Sequence, residues 1–122
     1  MSYTNPTTTT HNVKAAAIST AATVMSIMGP SGHTGVVRGI SAVVTTGVTD
    51  AACALTVGNA ADADKFGTLS VAVGAAATGT NAATLTAADS NLIVADSIVL
   101  LKTDGACTAG AADIAVVIDW FK

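Results

Sequence analysis

The stretch Asn91–Phe121, NLIVADSIVLLKTDGACTAGAADIAVVIDWF, decides how this chain is read. Two runs of strand-favouring residues, Ser97–Thr103 and Asp113–Phe121, flank a loop of Asp, Gly, Ala and Thr, which predicts a long β-hairpin. In the second arm Ile114, Val116, Ile118 and Trp120 fall on one face of a strand, and Ala115, Val117, Asp119 and Phe121 on the other. The first face is core. The second is only partly polar, so this final strand is expected to pack on both sides, as in a sandwich or at a subunit interface.

Composition points the same way. The chain has 122 residues, enough for one domain with a real core. Ala contributes 26 residues and Thr 19, with 11 Gly and no Glu, which is the wrong alphabet for helices whose exposed faces want Glu, Lys and Gln. Small and β-branched side chains predict an all-β fold. Only 11% of residues are charged and the net charge is −3, so no basic stripe is present to neutralise phosphates, and nucleic acid is not an expected partner.

Taken in order, MSYTNPTTTTHN reads as an extended N-terminal arm over residues 1–12, with residues 13–122 as a single β-sandwich domain. Such an arm either frays or lies along a neighbouring protein. The start has neither a basic n-region nor an apolar h-region, so synthesis in the cytoplasm is the expectation. Ala15–Met28 is too short and too polar to span a bilayer, and no membrane association is expected. Ile18, Ala21, Ala22, Met25 and Met28 fit a helical stripe, while Ile18, Ala22, Val24 and Met28 against Ser19, Thr23 and Ile27 fit a strand; the β-branched Thr20, Thr23, Val24 and Ile27 and the lack of an N-cap pattern favour strand, with helix left open. The following GPSGHTG is a turn; it lacks the Lys and Ser/Thr of a phosphate-binding loop. Val36–Thr49 reads as strand, with Gly39 and Gly47 marking bulges or close backbone approach. Further strands are expected at Cys53–Val57, at Thr68–Val73 with Leu69, Val71 and Val73 inward, and at Ala82–Thr86 with Ala83 and Leu85 inward. About seven to eight strands separated by turns predict a β-sandwich or jelly-roll-like barrel.

Chemistry is sparse. His11 lies in the expected arm and His33 in the glycine turn, and no cysteines stand at zinc spacing, so no metal or other cofactor is expected. Asp62 and Asp64 in NAADADKFG lack the acidic ladder and closing Glu of a calcium loop and read as a solvated turn. A Ser or Cys nucleophile would need a positioned His and acid, which two His in loop-like segments do not supply, so the chain is not expected to be an enzyme. Cys53 shares a strand face with Leu55 and Val57, where a thiol serves as a small apolar group. Whether it bridges to Cys107 is left open by the sequence.

The Thr-rich start, the strands written in Ala, Val, Thr and Gly, the middle LTVGNAADADKFGTLSVAVG and the closing DSIVLLKTDGACTAGAADIAVVIDWF together resemble the small decoration, or cement, proteins of tailed-phage capsids. The resemblance covers most of the chain from about Val36 onward and lies in style and strand order. It implies a structural virion protein on the outer capsid surface, commonly a homotrimer, that bridges neighbouring copies of the major capsid protein. The strands here are more Ala-rich than in some such proteins. Interface candidates are then Tyr3, Asn5, Pro6, Thr8 and His11 in the arm, with Trp120 and Phe121 at the end of the last strand. A secreted fimbrial or surface-layer subunit is the competing expectation; it would need an export signal and an oxidised cysteine pair. A carbohydrate-binding module would need an aromatic platform, which four aromatic residues, two of them in the final strand, are poorly placed to build.

Overall fold

Thirteen residues of strand, Ala109–Phe121, form the axis of the molecule, because their alternation leaves every second side chain with nowhere to go but inward. The structure is a computed structural model and describes residues 6–80, 84–85 and 92–122. The strands in chain order are β1 (Thr7–Ala17), β2 (Ala22–Met28), β3 (Thr34–Thr49), β4 (Cys53–Gly58), β5 (Gly67–Val71), β6 (Gly79–Thr80), β7 (Thr84–Leu85), β8 (Ile98–Thr103) and β9 (Ala109–Phe121). They make two antiparallel sheets, one ordered β1-β9-β3-β6 and the other β2-β8-β4-β5-β7. The fold is a β-sandwich, as expected. Ile114, Val116, Ile118 and Trp120 are all 2% exposed or less and face Leu55, Val57, Leu69, Val99 and Leu101 of the second sheet within one core cluster.

The hairpin expected between Ser97–Thr103 and Asp113–Phe121 is not formed. β8 pairs with β2 and β4 while β9 pairs with β1 and β3, so the two strands lie in opposite sheets. The reason is pairing economy: β9 has more than twice the length of β8, and a hairpin would leave half of it without a partner on that side. Crossing over lets both strands sit inside their sheets, with apolar faces opposed rather than adjacent. The connection Asp104–Thr108 is tied down where it crosses. The Asp104 carboxylate accepts hydrogen bonds from the backbone N–H groups of Ala54 and Ala106, both at 3.0 Å. Cys107 is joined to Cys53 of β4 by a disulfide, with Cα atoms 5.3 Å apart. That bridge closes a loop across 54 residues, a constraint on the unfolded chain worth about 2–4 kcal/mol.

The expected break between arm and domain at residue 12 is also corrected. Thr7–Asn12 belong to β1, which pairs in continuous register with β9 from Thr7 opposite Trp120 to Val13 opposite Ile114. β-Branched threonines suit such an edge, with one face against the core side and one toward water. Residues 1–5 of the expected arm lie outside the described residues.

Ala15–Met28 contains strand rather than helix, but its inward face is not the expected one. Ile27 is buried and Met28 is 57% exposed. A bulge between Thr23 and Met25 inserts Val24 and shifts the alternation by one, so that Met25 and Ile27 turn toward the core. Ile18 is buried in the turn before β2, where its N–H bonds to the Gly110 carbonyl at 3.1 Å. In β3, Gly39 and Gly47 do accompany register shifts. Val73 and Leu85, both expected inward, are exposed: β5 ends at Val71 and the chain leaves the sheet, and β7 is a two-residue strand at the sheet margin. Ala82, Ala83 and Thr86 of the last expected strand lie outside the described residues.

Candidate interaction surface

β1 is the outermost strand of its sheet, and among the described residues it brings several polar side chains into contact. Pairing with β9 divides its residues between two faces. Thr8, Thr10 and Asn12, opposite Asp119, Val117 and Ala115, lie on the outer face; Thr9, His11 and Val13, opposite Ile118, Val116 and Ile114, lie on the core side.

On the outer face, Thr8 Oγ1 donates to Asp119 Oδ1 at 2.6 Å, and Arg38 Nε donates to Asp119 Oδ2 at 2.8 Å. Arg38 reaches there because it is the extra residue of the bulge between Val37 and Gly39. Both hydrogen bonds favour the carboxylate, Thr8's the more, and hold Asp119 below its ordinary titration range. Further along, Lys14 stands 4.0 Å from Asp113, an exposed pair of little energetic weight. The N–H of Ala15 donates to the same carboxylate at 2.7 Å, where β1 bulges and Ala15 takes a left-handed φ of 48°. Asn12, Lys14, Ser41, Val43, Asp113 and Ala115 line a shallow groove of about 200 Å³ beside this bulge.

On the core side the Trp120 indole N–H donates to Thr9 Oγ1 at 2.8 Å, and Thr9 Oγ1 lies 2.8 Å from His11 Nε2. With the indole as donor, Thr9 Oγ1 keeps its own proton and a second lone pair, so its contact with His11 Nε2 forms with either imidazole tautomer. Burial pushes the His11 pKa down. Because the folded pKa is depressed, the unfolded chain binds more protons than the folded one below about the ordinary value of 6.5, and stability there falls with falling pH. Urea midpoints are expected to be level above pH 6.5 and to decline below it, with a further decline below the ordinary Asp value of 3.8 as Asp119 protonates. In His11→Asn the first decline should vanish. A first decline that survives the substitution would place its origin elsewhere.

Of the expected interface residues, Pro6 and Thr8 are exposed and His11 is half-buried, and all three lie on or just before the β1 edge. Trp120 and Phe121 are not available to a partner. They are 2% and 8% exposed, Trp120 inside the sandwich because Gly29 and Gly35 let the backbone come against its ring, where a Cβ at either glycine would overlap the indole. Tyr3 and Asn5 lie outside the described residues. Asp119, Arg38 and Asn12 were not singled out from sequence; the even register of Thr8, Thr10 and Asn12 beside an alternating β9 is the signal that finds them once β1 is known to pair there. Met28 and Ile98, 57% and 51% exposed, stand opposite each other across β2 and β8 on the outer face of the second sheet, a second exposed feature that the sequence does not mark.

Asp62 and Asp64 sit in a solvent-facing turn organised by Asn59, whose side-chain oxygen accepts from the N–H groups of Ala61 and Asp62. A hydrogen bond with Asp62, and that neighbour's charge, push the Asp64 pKa up. Among the described residues, no three His, Cys, Asp or Glu side chains gather as a metal site would need, and no helix is long and apolar enough to cross a membrane. No protein-family model, curated protein or solved structure matches the chain.

Proposed function

We propose that this protein is a structural subunit that decorates the outer surface of a tailed-phage capsid and bridges neighbouring major capsid proteins. The observation that carries the reading is the outer face of the first sheet, made of Thr, Ser, Ala and Val and interrupted by a few ion-paired charges. Small side chains permit close approach of another protein, and little charge has to be stripped of water when that face is covered. Bridging requires no chemistry. It works by adding modest contacts to several neighbours held at fixed spacing, so that avidity exceeds any one affinity. The subunit is made in the host cytoplasm and acts on the assembled shell.

The test uses expanded, undecorated shells of the phage that carries the gene. The full-length protein is expected to bind them saturably, in a fixed ratio to the capsid protein, and to raise the temperature at which the shells come apart. Shells that neither bind the protein nor gain heat resistance from it would overturn the reading.

One observation favours the fimbrial or surface-layer alternative, namely the Cys53–Cys107 bridge, since disulfides persist in oxidising surroundings. A virion released from a lysed cell meets the same surroundings. The readings separate on timing: a cytoplasmic subunit is recovered from intact cells in reduced form, and an exported one already carries the bridge.

A further inference from the structure

The free side of β1 carries an inference that stands apart from the capsid reading. Natural sheets guard their edge strands with Pro, Lys, bulges or short length, because an open row of backbone N–H and C=O groups pairs with whatever strand it meets. β1 has such guards only at its two ends: Pro6 precedes it, and Lys14 with the bulge between Val13 and Ala16 interrupts its last third. Between them run seven residues, Thr7–Val13, in unbroken register with β9 and without a formal charge, a proline, a glycine or a bulge. They are mostly β-branched, and Thr7, Thr8, Thr10 and Asn12 are exposed.

We infer that this segment is a docking edge for the same segment of a second copy of the chain, paired antiparallel about a two-fold axis through Thr10. The register follows from the guards. A centre at Thr10 sets Thr7 opposite Val13, Thr8 opposite Asn12 and Thr9 opposite His11 of the other copy, keeps outer-face residues against outer-face residues, and uses the whole unguarded run. A centre at Thr9 would draw Pro6, which has no N–H, into the ladder. A centre at His11 would oppose the two imidazoles and push Thr7 against the bulged Ala15. With Thr10 at the axis no like charges meet, because each Lys14 falls beyond the end of the paired segment. The two four-stranded sheets become one continuous sheet of eight strands, closed by symmetry so that the pairing stops at two copies. Half-buried Val13, Val24 and Met25, packed at the margin of the core along β1 and β2, add apolar surface next to the new ladder.

The experiment is sedimentation equilibrium of the full chain over a wide concentration range, with charge substitutions at the axis. Thr10 is exposed, so Thr10→Lys and Thr10→Glu should each leave the melting temperature of the dilute protein in place. The unmodified chain is expected to be dimeric. Each variant alone should dissociate with a constant raised about tenfold or more, since like charges then meet at the axis. Mixing the two variants should restore a one-to-one dimer, which a general loss of strand order would not do. A chain that stays monomeric at high concentration, an oligomer indifferent to both substitutions, or variants that fail to recover on mixing would each overturn the inference. Failure of the shell-binding test leaves this result untouched, and the reverse also holds.

Discussion

Replacing Trp120 with alanine is expected to destabilise the protein by about 3–5 kcal/mol, the cost of emptying a large buried aromatic site, and to lower the melting temperature by roughly 10–20 °C. The side chain is 2% exposed and its ring fills the space that Gly29 and Gly35 leave open, so truncation opens a cavity inside the core. Truncation also strips Thr9 of its indole donor and removes the group that orients the Thr9–His11 contact. Trp120→Phe keeps most of the ring but not the N–H and should cost markedly less. Denaturant unfolding of the three proteins measures both. A loss below about 0.5 kcal/mol for the alanine variant, the range of ordinary surface substitutions, would mean that the indole is not part of the core.

What the sequence conveyed about this fold depends on how local the relevant physics is. The inward face of β9 was legible because alternation runs unbroken from Ala112 to Trp120, and each residue reports its own side. The partner of β9 was not legible. Strand pairing is settled by which distant edges remain available, and the tempting neighbour β8 is used up by β2 and β4. Bulges show the same contrast. Gly39 advertised the one in β3, whereas the shift at Val24 carries no glycine and inverted the expected faces of Ile27 and Met28. The disulfide depends on the β8–β9 crossover bringing Cys107 back over β4, and two cysteines 54 residues apart cannot report that by themselves. The candidate surface is partly legible in the threonine run, but the physical role of that run is not. Four threonines in a row look like a solvated tail until one face of them is seen to have a tryptophan to satisfy.

Deleting Thr7–Asn12 follows from that last point and separates the two descriptions of the N-terminal segment. As a detached arm it could be removed at no thermodynamic cost. As the first half of β1 it cannot, and the deletion is expected to cost on the order of 3–6 kcal/mol, from six cross-strand pairs at roughly 0.2–1 kcal/mol each together with an indole N–H left without its partner. The deletion also lays open the side of β9 that β1 had covered, a long apolar-faced strand with no guard on that flank. Aggregation should therefore accompany the loss of stability, and it should exceed that of Trp120→Ala at matched unfolding free energy, because the tryptophan variant keeps its edge strand. Thermal unfolding and light scattering on both variants make the comparison. A deleted protein that melts with the intact one and stays clear would return residues 7–12 to the status of a loose arm, and would remove the docking edge with them.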